Sequence, residues 1–178
     1  MTELVVLVDE AGRPIGEAPK EAVHGSRTPR HLAFSCYGFD DRGRLLVTQR
    51  AASKLTFPGV WTNTCCGHPA PGEPIEKAAA RRLSYELGLT AEALKVVVPD
   101  FTYRASQDGV EENELCPVLT CLLTADPDPN PGEVQAWEWW TWERFRTAAA
   151  DPSTNLAPWA RLQAPLLEPL VEIQRRQS

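Results

Sequence analysis

A mixed α+β fold is what this sequence predicts, on three observations. Short apolar runs bounded by turn residues are its commonest feature, one stretch at residues 74–88 carries helical rather than alternating periodicity, and no internal repeat or low-complexity block interrupts the chain. Its 178 residues suit one domain, 1–178, long enough to bury a sizeable core, and 43% hydrophobic with 24% charged residues is ordinary globular composition.

The elements follow in chain order. "LVVLVD" reads as a short apolar strand closed by the turn-like "EAGRP". "HLAFSCYGFD" and "RLLVTQR" flank "DRG", which predicts a hairpin. After a Pro/Gly-rich stretch, "PIEKAAARRLSYELG" carries Ile75, Ala79, Leu83 and Leu87 four apart, a core stripe on a helix. Pro74 suits its first turn and Gly88 its C-terminal stop. "FTYRA" and "VEENELCPVLTCLL" lie either side of "SQDG", whose Asp-Gly signals a second hairpin. Pro117 cannot donate to a ladder, so that strand is expected at an edge or at a bulge. "DPDPNPGE" reads as a mobile loop, "AWEWWTW" as a strand, and a helix-rich segment closes the chain.

A net charge of −6 argues against nucleic acid as a partner. The N-terminus is too short and too acidic for a signal peptide, and no apolar run approaches ~18 residues, so no membrane partner and a cytoplasmic monomer are expected. Cys36, Cys65, Cys66, Cys116 and Cys121 make an odd count of five; in a reducing compartment they read as buried thiols or chemistry rather than disulfides.

"CCGHP", Cys65 to Pro69, leaves three readings open: a metal clip, a nucleophile with its base, or a crowded turn. The chain holds only three histidines, His24, His31 and His68. In "EENE", Glu112 and Glu114 alternate onto one face of a strand, ~7 Å apart along it, with Glu111 and Asn113 on the other. Paired carboxylates repel unless something positive sits between them, and a metal does. Lys20, Arg50, Lys54 and Arg82 are each ordinary surface cations alone; together they make a plausible grip for a diphosphate.

Gly67, Glu73, Arg81, Glu86 and Gly88 stand in the frame G-x5-E-x7-R-x4-E-x-G, residues 67–89. That frame resembles the Nudix box, a loop–helix–loop whose acidic side chains hold a divalent metal against a diphosphate. Arg82 and Tyr85 replace two of the three glutamates of the usual hydrolase box. "HLAFS", "PGVWTNTCCGHP", "YELG", "FTYRA", "EENELCP" and "APWA" further resemble, in order and spacing from Lys20 to Trp159, the type 1 isopentenyl diphosphate isomerases.

The resemblance implies a single Nudix-fold domain, with mixed β-sheets sandwiched by helices, and an isoprenoid diphosphate as small-molecule substrate. It implies one divalent metal (Mn²⁺, Mg²⁺ or Zn²⁺) on His24, His31, His68, Glu112 and Glu114, and a Mg²⁺ bound with the substrate diphosphate at Glu86. It makes Cys66, not Cys65, the catalytic thiol, with Glu114 opposite it, Tyr103 backing Glu114, and Trp159 as an aromatic wall whose indole face attracts a cation. Cys36, Cys116 and Cys121 are left as small buried hydrophobes. Two other readings compete. A Nudix hydrolase of another organic diphosphate draws on Glu73 and Glu86, and a non-catalytic binding module would keep the fold without the site.

Overall fold

The computed structural model describes residues 3–176, with side chains described through residue 168; the ends of the expected 1–178 span lie outside the described residues. The chain runs β1 (Leu4–Val8), β2 (Pro14–Pro19), α1 (Lys20–Val23), β3 (His31–Leu32), β4 (Phe34–Phe39), β5 (Leu45–Arg50), β6 (Trp61–Thr62) and β7 (Cys65–Gly67). It continues with α2 (Ile75–Leu87), β8 (Ala91–Val98), β9 (Thr102–Gln107), β10 (Val110–Leu115), β11 (Val118–Leu123), β12 (Val134–Trp140), α3 (Trp142–Ala150) and α4 (Pro158–Arg176). Two sheets form, β2-β1-β3-β10-β9 and β12-β5-β4-β11-β8, and each contains one parallel pairing, β3 with β10 and β4 with β11.

The second sheet is covered on both faces, which explains why every residue of β4 is buried. Phe34 and Cys36 join Ala78, Ala79, Leu83 and Leu87 of α2 in one core. Tyr37 and Phe39 turn the other way, into a second core with Trp142 and Phe145 of α3 and Trp159 and Leu167 of α4. Ala79, Leu83 and Leu87 are wholly buried at the helical spacing read from the sequence. Pro74 is the N-cap of α2 rather than part of its first turn, and Gly88 takes the left-handed conformation (φ 65°) that stops it.

The structure departs from the sequence reading at four places. The first hairpin is nearly unzipped: β4 and β5 share only the Phe39–Leu45 pair, because residues 61–67 wedge between them, β7 on β4 and β6 on β5. That wedge is the "CCGHP" region, delivered to the middle of a sheet. The run 110–123 is two strands, not one, since Cys116 and Pro117 carry the chain from the first sheet into the second. Of the expected edge or bulge, the edge is wrong and the bulge is found. Strand β10 lies between β3 and β9 and β11 between β4 and β8, Pro117 stands in neither strand, and the β11–β8 ladder shifts register just beyond it, between Val118 and Leu119. Finally, residues 125–133 are pinned rather than mobile. Asp128 N donates to Leu87 O (2.9 Å) and Asn130 N to Glu86 O (2.8 Å), so the loop caps the orphan carbonyls of α2.

Candidate active site

Sheet register builds the site. His31 of β3 lies opposite Glu114 of β10, and Glu114 lies opposite Tyr103 of β9, so the three form one row across the first sheet. An isolated bridge, Gly25 with Glu111, draws the end of α1 against β10 and sets His24 beside Glu112. Glu111 and Asn113, on the reverse face of β10, tie this loop down. Glu111 Oε1 accepts from Thr28 N (3.0 Å) and Asn113 Nδ2 donates to Thr28 O (3.0 Å). His68 arrives from the second sheet, just after β7.

The three imidazoles converge. His24 and His31 ring centroids are 5.1 Å apart, and His31 and His68 5.0 Å. Ligand-capable atoms of His24, His31, His68 and Glu114 all lie within 4.8 Å of one another. Glu114 Oε1 is 3.2 Å from His68 Nε2 and 3.6 Å from His31 Nε2. Glu112 stands outside that group of four and reaches it through His24, with Oε2 3.0 Å from Nε2. His31 Nδ1 donates to Pro29 O (2.9 Å), which leaves Nε2 to present a lone pair inward.

A divalent cation fits this donor set. His68 Nδ1 is buried without a hydrogen-bond partner, and His24 Nε2 and Glu112 Oε2 meet at 3.0 Å without hydrogen-bond geometry, although buried polar atoms are normally satisfied. Burial alone would raise the Glu114 pKa, but hydrogen bonds with His31 and His68 outweigh it and hold the carboxyl well below its ordinary value. Burial also dominates at His68 and lowers its pKa. An ionised carboxylate and a neutral imidazole are the forms that ligate a metal.

These residues border a cleft of about 390 Å³ lined from both sheets, α1, α2 and α4. Lys20, Arg50, Lys54 and Arg82 all reach it, as do Glu86, Cys66, Tyr103 and Trp159. Every one of the four cations already has a partner. Lys20 Nζ is 2.9 Å from Glu3 Oε2, Lys54 pairs with Glu133, and Arg82 Nη2 is 2.6 Å from Glu86 Oε1 and 3.2 Å from Glu133 Oε2. Arg50 donates to the carbonyls of Thr56 (2.8 Å) and Phe57 (3.2 Å). Burial would raise the Glu133 pKa, yet Lys54 and then Arg82 hold it below the ordinary value; burial wins at Glu86, whose pKa is raised.

The adjacent thiols part company because strand side chains alternate. Cys65 is buried against α2 in the core with Cys36, while Cys66 is half-buried and opens into the cleft. Burial pushes the Cys66 thiol up to about 11. Gly67 follows for a steric reason: a Cβ there would stand 3.0 Å from Arg82 Cγ and 3.1 Å from Phe34 Cζ. Cys36, Cys116 and Cys121 are buried and free. Glu73 serves the loop rather than the cleft, taking Arg81 at 2.7 Å while Arg81 also donates to His68 O at 3.2 Å. Sequence reading missed Glu3 and Glu133 altogether, because they lie in no motif and meet their lysines 17 and 79 residues away.

A loop–helix–loop carrying Glu73 and Glu86, set against a sheet covered by helices on both sides, fits a Nudix-class protein, and the chain matches the NUDIX domain over residues 29–160. A solved Deinococcus radiodurans protein shares the fold at TM-score 0.68 and 21% identity, over 90% of this chain and 96% of that one. A MutT protein from Methanosarcina mazei does so at TM-score 0.62 and 18% identity, over 80% and 95%. Much nearer in sequence are proteins named isopentenyl-diphosphate Delta-isomerase. That of Mycolicibacterium vanbaalenii is 54% identical over 93% of this chain and 92% of its own length. That of Frankia alni is 55% identical over 88% and 81%, and that of Clavibacter sepedonicus 52% over 94% and 89%. The chain belongs to the isopentenyl-diphosphate Delta-isomerase family of Nudix proteins.

Proposed function

We propose that the chain interconverts isopentenyl and dimethylallyl diphosphate, with Cys66 and Glu114 as the two groups that exchange protons with carbon. The observation that carries this reading is the meeting of a thiol from one sheet and a carboxylate from the other in a single cleft whose remaining wall is cationic.

Moving a double bond by one carbon requires a C–H bond to form at one end of the allylic unit and another to break at the other. An alkene is a weak base, so the donor must be held close and aimed. Cys66 is placed to supply that donor; burial keeps its proton on sulfur but also makes the thiol a weaker acid, so closeness and aim must carry the step. The tertiary cation formed has no oxygen to share its charge, and the indole of Trp159, in the cleft wall with Arg50 Cζ 5.7 Å from its ring, would be the group to stabilise it. Glu114, ionised and backed by Tyr103 across the ladder, takes the departing proton. The reverse reaction uses the same groups in opposite roles.

Lys20, Arg50, Lys54 and Arg82 would bind the diphosphate by giving up their internal carboxylates and carbonyls for phosphate oxygens. A divalent cation on His24, His31, His68 and Glu114, with Glu112 beside it, and Mg²⁺ accompanying the diphosphate at Glu86, would supply positive charge that sets the proton affinity of Glu114 and neutralises phosphate. Imidazole nitrogens suit Zn²⁺ and carboxylate oxygens suit Mn²⁺ and Mg²⁺, so the mixed set admits all three. Among the described residues no helix is long and apolar enough to cross a membrane. Incubating the purified chain with isopentenyl diphosphate and Mg²⁺ should yield dimethylallyl diphosphate; unchanged substrate, or released phosphate, would refute the proposal.

A further inference from the structure

Behind Cys66 lies a buried polar network that reaches the cleft only through Ser35 and Trp159. Its centre is Asn63, wholly buried and outside the cleft lining. Asn63 Nδ2 donates to the carbonyls of Cys36 (2.9 Å) and Cys65 (3.0 Å). Turning the amide over would set its oxygen against two carbonyl oxygens, so Oδ1 is fixed as an acceptor. Three donors meet at that one oxygen: Thr62 Oγ1 at 2.8 Å, Trp159 Nε1 at 3.1 Å and Cys66 Sγ at 3.2 Å. The indole N–H is shared between Thr62 Oγ1 (2.9 Å) and Asn63 Oδ1, both acceptors towards it, which agrees with that amide orientation.

The far side of the sulfur is organised too. Ser35 Oγ lies 3.6 Å from Cys66 Sγ and 3.3 Å from Cys116 Sγ. It accepts from Gln163 Nε2 (3.0 Å), whose own oxygen accepts from Tyr37 OH (2.8 Å). Besides the bond from Gln163, the serine keeps its proton and a second lone pair, which Cys66 and Cys116 share. Cys66 thus lies between an acceptor-only group and a hydroxyl.

We propose that Asn63 and Ser35 are positioning residues for the reaction: Asn63 Oδ1 locks the thiol of Cys66 and the indole of Trp159 to one point, and Ser35 holds the sulfur from the opposite side. This rests on the reading of Cys66 as the proton-exchanging thiol. Neither residue is bonded to Lys20, Arg50, Lys54 or Arg82, so the effect belongs in turnover and not in diphosphate binding. A small misplacement of a reacting atom is costly, on the order of 100-fold in rate.

The test is steady-state kinetics on Asn63→Ala and Ser35→Ala, with Cys66→Ala alongside and thermal melting to verify folding. We expect kcat to fall by roughly 10- to 100-fold in each positioning variant while KM for isopentenyl diphosphate stays within about twofold. Ser35→Thr, which keeps the hydroxyl, should recover more turnover than Ser35→Ala. A folded variant with near-parental kcat, or a loss carried by KM, overturns the proposal. Should Asn63→Ala fail to fold, Ser35→Ala decides the matter, since it removes a single atom. If Cys66→Ala is inactive while the positioning variants are unaffected, only this inference fails; if Cys66→Ala keeps its turnover, the underlying reading fails with it.

Discussion

At one end of the cleft three imidazoles and two carboxylates converge, with buried nitrogen and oxygen atoms left without hydrogen bonds. At the other end, each of four cations is already engaged by a carboxylate or carbonyl of the chain itself. The first region is arranged to receive positive charge, and among the described residues its carboxylates are paired with histidines and with no lysine or arginine. The second is arranged to receive negative charge, and the chain supplies a substitute. Unsatisfied buried atoms are costly to keep, so the histidine end is expected to bind its cation tightly and continuously. Partly exposed ion pairs are worth little, so Lys20 and Lys54 are expected to exchange partners readily, whereas the buried Arg82–Glu86 pair is held more firmly.

The largest effects should come from the histidine end. Replacing His24 and His31 together by alanine should remove both the metal, measured by elemental analysis, and turnover. Glu112→Gln should weaken metal retention by roughly 10- to 100-fold, because Glu112 acts on the cluster through His24. Full metal occupancy in the double variant would erase the contrast between the two ends.

Next in size is the thiol between them. Cys66→Ala should cost on the order of 100- to 10,000-fold in kcat with the fold intact. Cys65→Ser, on the α2 side of the strand, should keep most of its turnover. Inactivation by alkylation confined to Cys65 would reverse the assignment.

The smallest effects belong to the basic end, and they should have opposite signs. Lys54→Ala should raise KM about tenfold, equivalent to about 1.4 kcal/mol. Glu133→Gln removes the internal anion shared by Lys54 and Arg82 and should lower KM by about two- to threefold. A rise in KM for Glu133→Gln would mean that this carboxylate holds the cations in place rather than competing for them.

The histidine end was far more legible in the sequence than the basic end. Glu112 and Glu114 sit in a strand whose alternation can be read locally, His31 and Tyr103 follow from the family resemblance, and all three histidines of the chain are gathered together. Helix α2 was legible because its spacing, Pro74 and Gly88 agree. What escaped was whatever depends on distant pairing. The wedge of residues 61–67 into the first hairpin leaves no local mark, because its partners are on β4 and β5. The break at Pro117 looked like a blemish in one strand because only the two-sheet arrangement makes it a crossover. Glu133 looked like part of a proline-rich loop until Lys54 and Arg82 were found on it. Strand β8, with half its residues outside any clear alternation, gave no signal at all.

The central claim, that Cys66 and Glu114 exchange protons with carbon while the basic end merely holds a diphosphate, is tested most directly in deuterated water. Isopentenyl diphosphate should come back with deuterium on its carbons, mixed with deuterated dimethylallyl diphosphate, and with no phosphate released. Steady phosphate release without deuterium in the hydrocarbon would contradict it, showing that the chain cleaves the diphosphate it was thought only to grip.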